Sequence, residues 1–323
     1  MVLRHNWQKE ELQALFDLPL MELVAKAHKV HAEYNNVSEI QMCSLISVKT
    51  GGCSENCKYC PQSARYQTPI KAQAMLETEE VLRRAKEAIS EGVSRICLGA
   101  AWREVKDNVY FERIVHIVKE ITSLGVEVCC TLGMLTEQQA KRLKEAGLYA
   151  YNHNLDSSER FYRTIISSRT YQDRLNTLDA LEKTQLSVCS GGILGMGETQ
   201  EDRLEMLLTL CTRTPHPGSV PLNRLIPIPG TPLADKEQIS LWEMLPTISV
   251  ARIIMPKTMI RLSAGRKGLS YEQQALCFFA GVNSIHVGEK LLTTSNNPLE
   301  EDLHMFQLLG LTKKKAFSMA ENL

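Results

Sequence analysis

Between residues 43 and 287, short β-rich runs alternate with amphipathic helical stretches, and this alternation constrains the fold more than any other feature. Strands are predicted at 43–50, 94–99, 126–132, 149–154, 186–191, 220–227, 258–263 and 282–287. Helices are predicted between them at 79–91, 109–123, 136–146, 171–184, 199–212, 240–255 and 270–280. Eight strand–helix units of this length imply an α/β fold of the closed (β/α)8, TIM-type barrel rather than an open sheet. A chain of 323 residues is within the range of one such barrel. Residues 1–40 read as an N-terminal helical extension, with Trp7, Leu12, Leu15 and Phe16 on one apolar stripe. Residues 41–312 are then the barrel and 313–323 a C-terminal tail in which Lys313 to Lys315 are solvated. The Pro/Gly-rich stretch 214–232 reads as loops flanking strand six, 290–304 as a loop after the last strand, and 305–323 as free to fray.

The 37 basic and 37 acidic side chains cancel, so no nucleic-acid backbone or anionic membrane is an expected partner. No apolar stretch has the length of a membrane span, and no signal-like apolar core opens the chain. Ten cysteines without an export signal predict a reducing, cytoplasmic setting, where thiols serve metals or chemistry more often than disulfides.

Three of those cysteines, Cys53, Cys57 and Cys60, share one loop, Gly-Gly-Cys-Ser-Glu-Asn-Cys-Lys-Tyr-Cys-Pro. Such a set can hold three corners of a cube-shaped iron–sulfur cluster, and no further cysteine follows in the loop for the last corner. An iron without a protein ligand is open to a small molecule. A structural zinc with a distant fourth ligand is the alternative, but zinc loops usually come as two Cys/His pairs.

Alternation along each strand sorts its side chains into two faces. In 95–99, Ile96 and Leu98 belong on the helices and Arg95 and Cys97 inside. In 126–131, Glu127, Cys129 and Thr131 turn inward and Cys130 outward. Ser187 and Cys189, Asn152 and Asn154, Asn223, and Arg261 and Ser263 fall inside as well. Barrel interiors are normally layered with Val, Ile and Leu, so inward cysteines from three strands beside an inward arginine propose a second metal cluster on Cys97, Cys129 and Cys189. The buried arginine needs negative charge, which thiolates and a metal–sulfide core supply. Parity leaves open whether Arg261 is a ligand or a counter-charge. Cys43, Cys130, Cys211 and Cys277 read as small buried hydrophobes, and His153, on the outward parity, as a satisfied structural histidine. The run Gly191 to Glu198 fits neither nucleotide fingerprint.

Taken together, these residues resemble the biotin synthase family of radical S-adenosylmethionine enzymes. The resemblance is carried by Cys53-x3-Cys57-x2-Cys60, Lys49 to Cys53, Cys60 to Ser63, Tyr151 to Asp156, Cys189 to Gly192, Gly230 to Asp235 and Arg261 to Arg266, and runs from about residue 7 to about residue 312. It implies a sulfurtransferase that converts dethiobiotin to biotin. Cys53, Cys57 and Cys60 would hold a [4Fe–4S] cluster whose fourth iron chelates S-adenosylmethionine, and one electron would cleave it to methionine and a 5′-deoxyadenosyl radical. Cys97, Cys129, Cys189 and Arg261 would hold a [2Fe–2S] cluster that supplies the sulfur. Two new C–S bonds imply two radical events per product. The resemblance further implies that Asn154 and Asp156 bind the ribose, Arg174 the methionine carboxylate, and Tyr59 and Ile193 the adenine. Asn152 and Asn223 would position the ureido ring, and Thr293 and Thr294 the substrate carboxylate. An external flavodoxin- or ferredoxin-type electron donor and a homodimer are implied too. The ordinary readings are Asp156 as a helix N-cap, Arg174 as a surface helix charge and Thr293 as a loop residue.

Two rival classes predict different residues. Another radical S-adenosylmethionine enzyme would lack the inner cysteines or Arg261. A non-catalytic iron–sulfur or zinc protein that binds a partner would carry a basic surface and ligands near the exterior.

Overall fold

The alternating runs form parallel strands that close on themselves. In the computed structural model, which describes residues 3–316, they are β1 (Glu39–Lys49), β2 (Arg95–Ala100), β3 (Glu127–Thr131), β4 (Ala150–Asn152), β5 (Ser187–Cys189), β6 (Gly192–Leu194), β7 (Ser219–Arg224), β8 (Met259–Leu262) and β9 (Ser284–Val287). All their pairings are parallel, and β1 pairs with both β2 and β9, which seals the barrel. β5 and β6 are two halves of one stave, each paired with β7. The stave breaks at Ser190-Gly191 because Gly191 presses on the neighbouring strand: a Cβ there would lie 2.0 Å from the Pro221 carbonyl oxygen.

Helices α1 (Lys9–Phe16) and α2 (Leu20–Tyr34) precede the barrel, and α3 (Thr78–Ser90), α4 (Val109–Thr122), α5 (Glu137–Glu145), α6 (Glu159–Ile165), α7 (Tyr171–Lys183), α8 (Gln200–Cys211), α9 (Leu241–Ile254) and α10 (Tyr271–Phe279) cover it. Thr136, Thr170, Thr199 and Ser270 start their helices with reciprocal capping boxes, so the polar residue before each apolar run marks the boundary. α9 is buried nearly all round, since it lies between the barrel and the N-terminal helices α1 and α2. No helix among the described residues is long and apolar enough to cross a membrane.

The segment after β9 departs from expectation. Residues 290–304 are not a plain loop, and residues 305–313 of the stretch expected to fray are mostly helix and strand. A short antiparallel hairpin, β10 (Lys290–Leu291) and β11 (Thr294–Ser295), leads into α11 (Leu299–Leu309) and β12 (Thr312–Lys313), which pairs with the start of β1. The lysine run is partly engaged: Lys313 Nζ donates to the Glu91 carbonyl at 2.7 Å, and Lys314 Nζ lies 3.5 Å from Glu39 Oε2. Residues 317–323 of the expected tail lie outside the described residues. α6 was not anticipated either.

What holds α11 down is non-local. Arg266, fully buried, donates Nη1 to Asp302 Oδ1 at 2.7 Å and Nη2 to Asp302 Oδ2 at 2.5 Å, and also reaches the His286 carbonyl. Removing one partner of such a pair strands a charge in the interior. Asp302→Ala is therefore expected to cost about 3–5 kcal/mol, read as a lowered urea midpoint with unchanged slope. A change within about 0.5 kcal/mol, as at an ordinary surface position, would contradict this account.

Candidate active site

At the C-terminal mouth of the barrel, β1 runs into the cysteine loop through Gly51 and Gly52, at φ of 70° and 71°. A Cβ at Gly51 would meet the Lys71 carbonyl oxygen at 2.8 Å, so the turn requires glycine. The loop is then pinned by its own backbone. The Cys53 amide donates to the Gln62 carbonyl at 2.9 Å, the Ala64 amide to the Cys53 carbonyl at 2.7 Å, and the Cys60 amide to the Cys57 carbonyl at 2.9 Å. Asn56 Oδ1 accepts the amides of Ser167 and Ser168, each at 3.0 Å, tying the loop to the segment before α7.

Cys53, Cys57 and Cys60 line one cavity of about 190 Å³ with Asn152, Asp156 and Arg174. Burial pushes the Cys60 thiol up to about 12 and raises Cys57 as well, against the pull of the nearby Arg169 guanidinium. Arg169 Nη2 lies 3.8 Å from Cys57 Sγ. Thiols so buried become thiolates when a metal supplies the positive charge. No group of three or more His, Cys, Asp or Glu among the described residues is compact enough for one metal ion. The loop brings three cysteines and no second Cys/His pair, a set that suits a cluster with one open iron better than a closed zinc site.

Beside the loop, Asp156 adopts a left-handed backbone at φ 68° and forms a bridge with Gly192. Gly192 is required there too, because a Cβ would sit 2.8 Å from the Asp156 carbonyl oxygen. Asp156 Oδ2 accepts the Tyr59 hydroxyl at 2.9 Å and pairs with Arg174, whose Nε also donates to the Tyr162 hydroxyl at 3.1 Å. Both ordinary readings are thus corrected. Asp156 caps no helix, since Ser158 caps α6, and Arg174 is buried on the inner side of α7.

Asn152 Nδ2 donates to Asn154 Oδ1 at 3.0 Å and to the Cys189 carbonyl at 3.2 Å, and reaches Cys189 Sγ at 3.2 Å; its Oδ1 accepts from Thr131 Oγ1 at 3.2 Å. Asn154 Oδ1 accepts the Gly191 amide at 3.1 Å. Asn223 Nδ2 donates to the Gly192 carbonyl at 3.0 Å and its Oδ1 accepts the Ala264 amide at 3.2 Å, leaving half of its hydrogen-bonding capacity free. A second cavity of about 220 Å³ adjoins the first, sharing Tyr59, Cys60, Asn154 and Asp156, and is lined further by Ile193, Asn223, Thr293 and Thr294. The hairpin that carries both threonines therefore overhangs the mouth. His153 is buried as expected and half satisfied: its ring bonds the Gly133 backbone, whereas its Nε2 has no hydrogen-bond partner among the described residues and the residue lines the first cavity. Burial holds its imidazole neutral, well below the ordinary histidine value.

Below the mouth, the lumen carries its own cluster, separate from the core between strands and helices. It consists of Cys43, Cys97, Cys129, Ala150 and Cys189, flanked by Leu45 and Tyr149, whereas Cys130 belongs to the outer core. Cys97 faces Cys129 across the β2–β3 ladder, and Cys189 faces Asn152 across β4–β5. Cys43, Cys97, Cys129 and Cys189 form one thiol cluster, in which Cys97 and Cys129 lie directly opposite each other. Hydrogen bonding to Cys129 holds both Cys97 and Cys189 well below the usual thiol value, with Arg261 adding to the effect at Cys189.

Two arginines serve the thiol cluster differently. Arg95 has an acidic partner, with Nε donating to Glu127 Oε2 at 2.6 Å, and Nη1 reaches Ser219 Oγ at 3.3 Å. Arg261 has none among the described residues. It is 1% exposed and donates to Ser284 Oγ at 2.9 Å, Gln41 Oε1 at 3.3 Å and Cys189 Sγ at 3.6 Å. A buried guanidinium without a carboxylate calls for an anion, and an anionic thiolate-bound cluster meets that demand.

Four lumen residues lie outside the predicted inward set. Cys43, read as a small buried hydrophobe, is buried in the lumen with the other thiols, and Gln41, Ser284 and His286 stand beside it, His286 Nδ1 sharing a 2.8 Å hydrogen bond with Ser263 Oγ. The available signal was the alternation of β1, in which Ile40 and Met42 face the helices and Gln41, Cys43 and Leu45 face the lumen.

Residues 47–210 match the radical SAM superfamily and residues 221–312 the Biotin and Thiamin Synthesis associated domain. Curated relatives include biotin synthase of Cytophaga hutchinsonii, 52% identical over 98% of this chain and 94% of that one. Biotin synthase of Chlamydia abortus is 56% identical over 97% and 95%. Among solved structures, methylornithine synthase (PylB) superposes with a TM-score of 0.78 at 20% identity, covering 98% of this chain and 95% of its own. The hydrogenase maturase HydG from Carboxydothermus hydrogenoformans gives 0.81 at 19%, covering 96% and 76%. At such identities these two structures speak for the barrel fold.

Proposed function

The chain belongs to the biotin synthase family within the radical S-adenosylmethionine superfamily, and from that premise we propose how its mouth and lumen divide the work of sulfur insertion. The enzyme converts dethiobiotin to biotin, with S-adenosylmethionine, a [4Fe–4S] cluster and a [2Fe–2S] cluster as cofactors and a reductant as electron source. We read Cys53, Cys57 and Cys60 as ligands of the [4Fe–4S] cluster, and Cys97, Cys129, Cys189 and Arg261 as holders of the [2Fe–2S] cluster. When bound, the first supplies the electron that cleaves S-adenosylmethionine and the second supplies the sulfur. The observation that carries this division is Arg261, a buried cation without a carboxylate among the described residues, set against a cluster of four thiols.

The remaining roles follow from what lines the two cavities. We assign Asn154 and Asp156 to the ribose, a reading supported by their place between the two cavities, with Tyr59 and Arg174 bonded to Asp156. Arg174 presents a buried positive charge for the methionine carboxylate, and Ile193 an apolar wall for adenine. Asn152 lies between Asn154 and Cys189, so an amide that orients the ureido ring also stands next to the sulfur source. Asn223, with its free capacity, takes the ring from the opposite wall, and Thr293 and Thr294 take the substrate carboxylate under the hairpin. Enclosure by that hairpin keeps water from a reactive carbon centre. The ten free thiols accord with a cytoplasmic setting. We extend the reading to a homodimer served by a flavodoxin- or ferredoxin-type donor.

An anaerobically reconstituted sample given reductant, S-adenosylmethionine and dethiobiotin is expected to release both 5′-deoxyadenosine and biotin. Deoxyadenosine without biotin would assign the chain to a different radical chemistry. A protein that takes up neither iron nor sulfide would be no enzyme of this kind.

A further inference from the structure

The lumen holds one thiol more than the inner-cluster assignment uses. Cys43 is fully buried on β1, opposite Arg95 on one neighbouring strand and His286 on the other. Its Sγ lies 3.6 Å from Gln41 Oε1 and 3.6 Å from Ser284 Oγ. Arg261 donates to the same two oxygens, at 3.3 Å and 2.9 Å. The two side chains thus share one pair of partners and stand next to the same point in the barrel. Cys43 shares one lumen cluster with Cys97, Cys129 and Cys189, so it stands with the assigned donors rather than apart from them.

A [2Fe–2S] cluster takes four protein donors, and the donor it takes most readily is a thiolate. A guanidinium is the least suited of the polar side chains, because it must give up a proton before it offers a lone pair. Arg261 already spends its Nε, Nη1 and Nη2 on hydrogen bonds. We propose that Cys43 is a fourth thiolate donor to the inner cluster, exchanging with Arg261 at one iron. The inference rests on the reading that the lumen thiols hold that cluster. In the exchange the iron–nitrogen bond to Arg261 breaks and an iron–sulfur bond to Cys43 forms. The Cys43 proton passes to the departing guanidine, which becomes guanidinium, and no electron changes hands. Arg261 then remains beside the cluster as its counter-cation. A cluster that surrenders sulfide in turnover leaves its irons short of ligands, and a spare thiolate at this position keeps them in the barrel.

The test compares Arg261→Ala, Cys43→Ser and the double variant after anaerobic reconstitution, by iron and sulfide content, Mössbauer spectra that separate the two clusters, and the Fe–S(Cys) stretches in resonance Raman. Arg261→Ala is expected to keep its inner cluster with a more thiolate-like spectrum. The double variant should lose inner-cluster iron to a chelator at least roughly tenfold faster. Equal retention, or equal loss, in Arg261→Ala and the double variant would overturn the role of Cys43. Outer-cluster content reports folding in every sample, and Arg261→Met replaces Arg261→Ala if cavity formation disrupts the barrel. A wild-type chain with no inner-cluster signal, or a Cys189→Ala variant that keeps it in full, would instead overturn the underlying reading of the lumen.

Discussion

Cys57→Ala is expected to abolish 5′-deoxyadenosine formation, with a loss of at least roughly a hundredfold, beyond the ten- to hundredfold typical of removing a mere outer-shell partner. The thiol is buried in the mouth cavity between Cys53 and Cys60, and Arg169 is its nearest cation. Because the loop is held by backbone hydrogen bonds at Cys53, Ala64 and Cys60, the alanine variant should still fold. Its iron and sulfide should fall by the share of one cluster while inner-cluster absorption stays. Deoxyadenosine released at the wild-type rate would remove Cys57 from the radical-generating site.

Cys129→Ala and Cys130→Ala form the second test, and adjacency makes it sharp. Cys129 lies in the lumen cluster with Cys97 and Cys189, whereas Cys130 packs among the apolar side chains outside the barrel. Cys129→Ala should keep S-adenosylmethionine cleavage yet lose biotin formation by at least roughly a hundredfold. Cys130→Ala should keep both, at a stability cost of about 1–2 kcal/mol for the small cavity left in the core. Biotin and deoxyadenosine would be quantified from the same reaction. Similar losses of biotin in the two variants would mean that strand parity does not separate chemistry from packing here.

Much of this site was legible because a strand repeats every two residues. That local rule sorted Cys129 from Cys130 and turned Arg95, Glu127 and Arg261 inward without any tertiary knowledge. The rule was not applied to the first strand, where Ile46 and Val48 on the helix side already place Cys43 on the lumen side. The helices were legible for a similar reason, since Thr136, Thr170 and Thr199 signal their starts within a few residues.

The segment after β9 was not legible. Leu299–Leu309 reads weakly as a helix because its anchor, Arg266, lies 36 residues away. Asp156 and Arg174 could each be given an ordinary role until the fold brought them together 18 residues apart. The same holds for Arg261, whose partners Gln41 and Cys189 come from opposite parts of the chain.

From sequence alone came the barrel, the three-cysteine loop and the inward faces, all of which depend on spacings shorter than one strand or helix. Closure of β1 against β9 decided the rest: which charges are paired, which lumen cation has no carboxylate among the described residues, and which fourth thiol joins the cluster. Pairing and burial are properties of residues distant in the chain, so no local period encodes them.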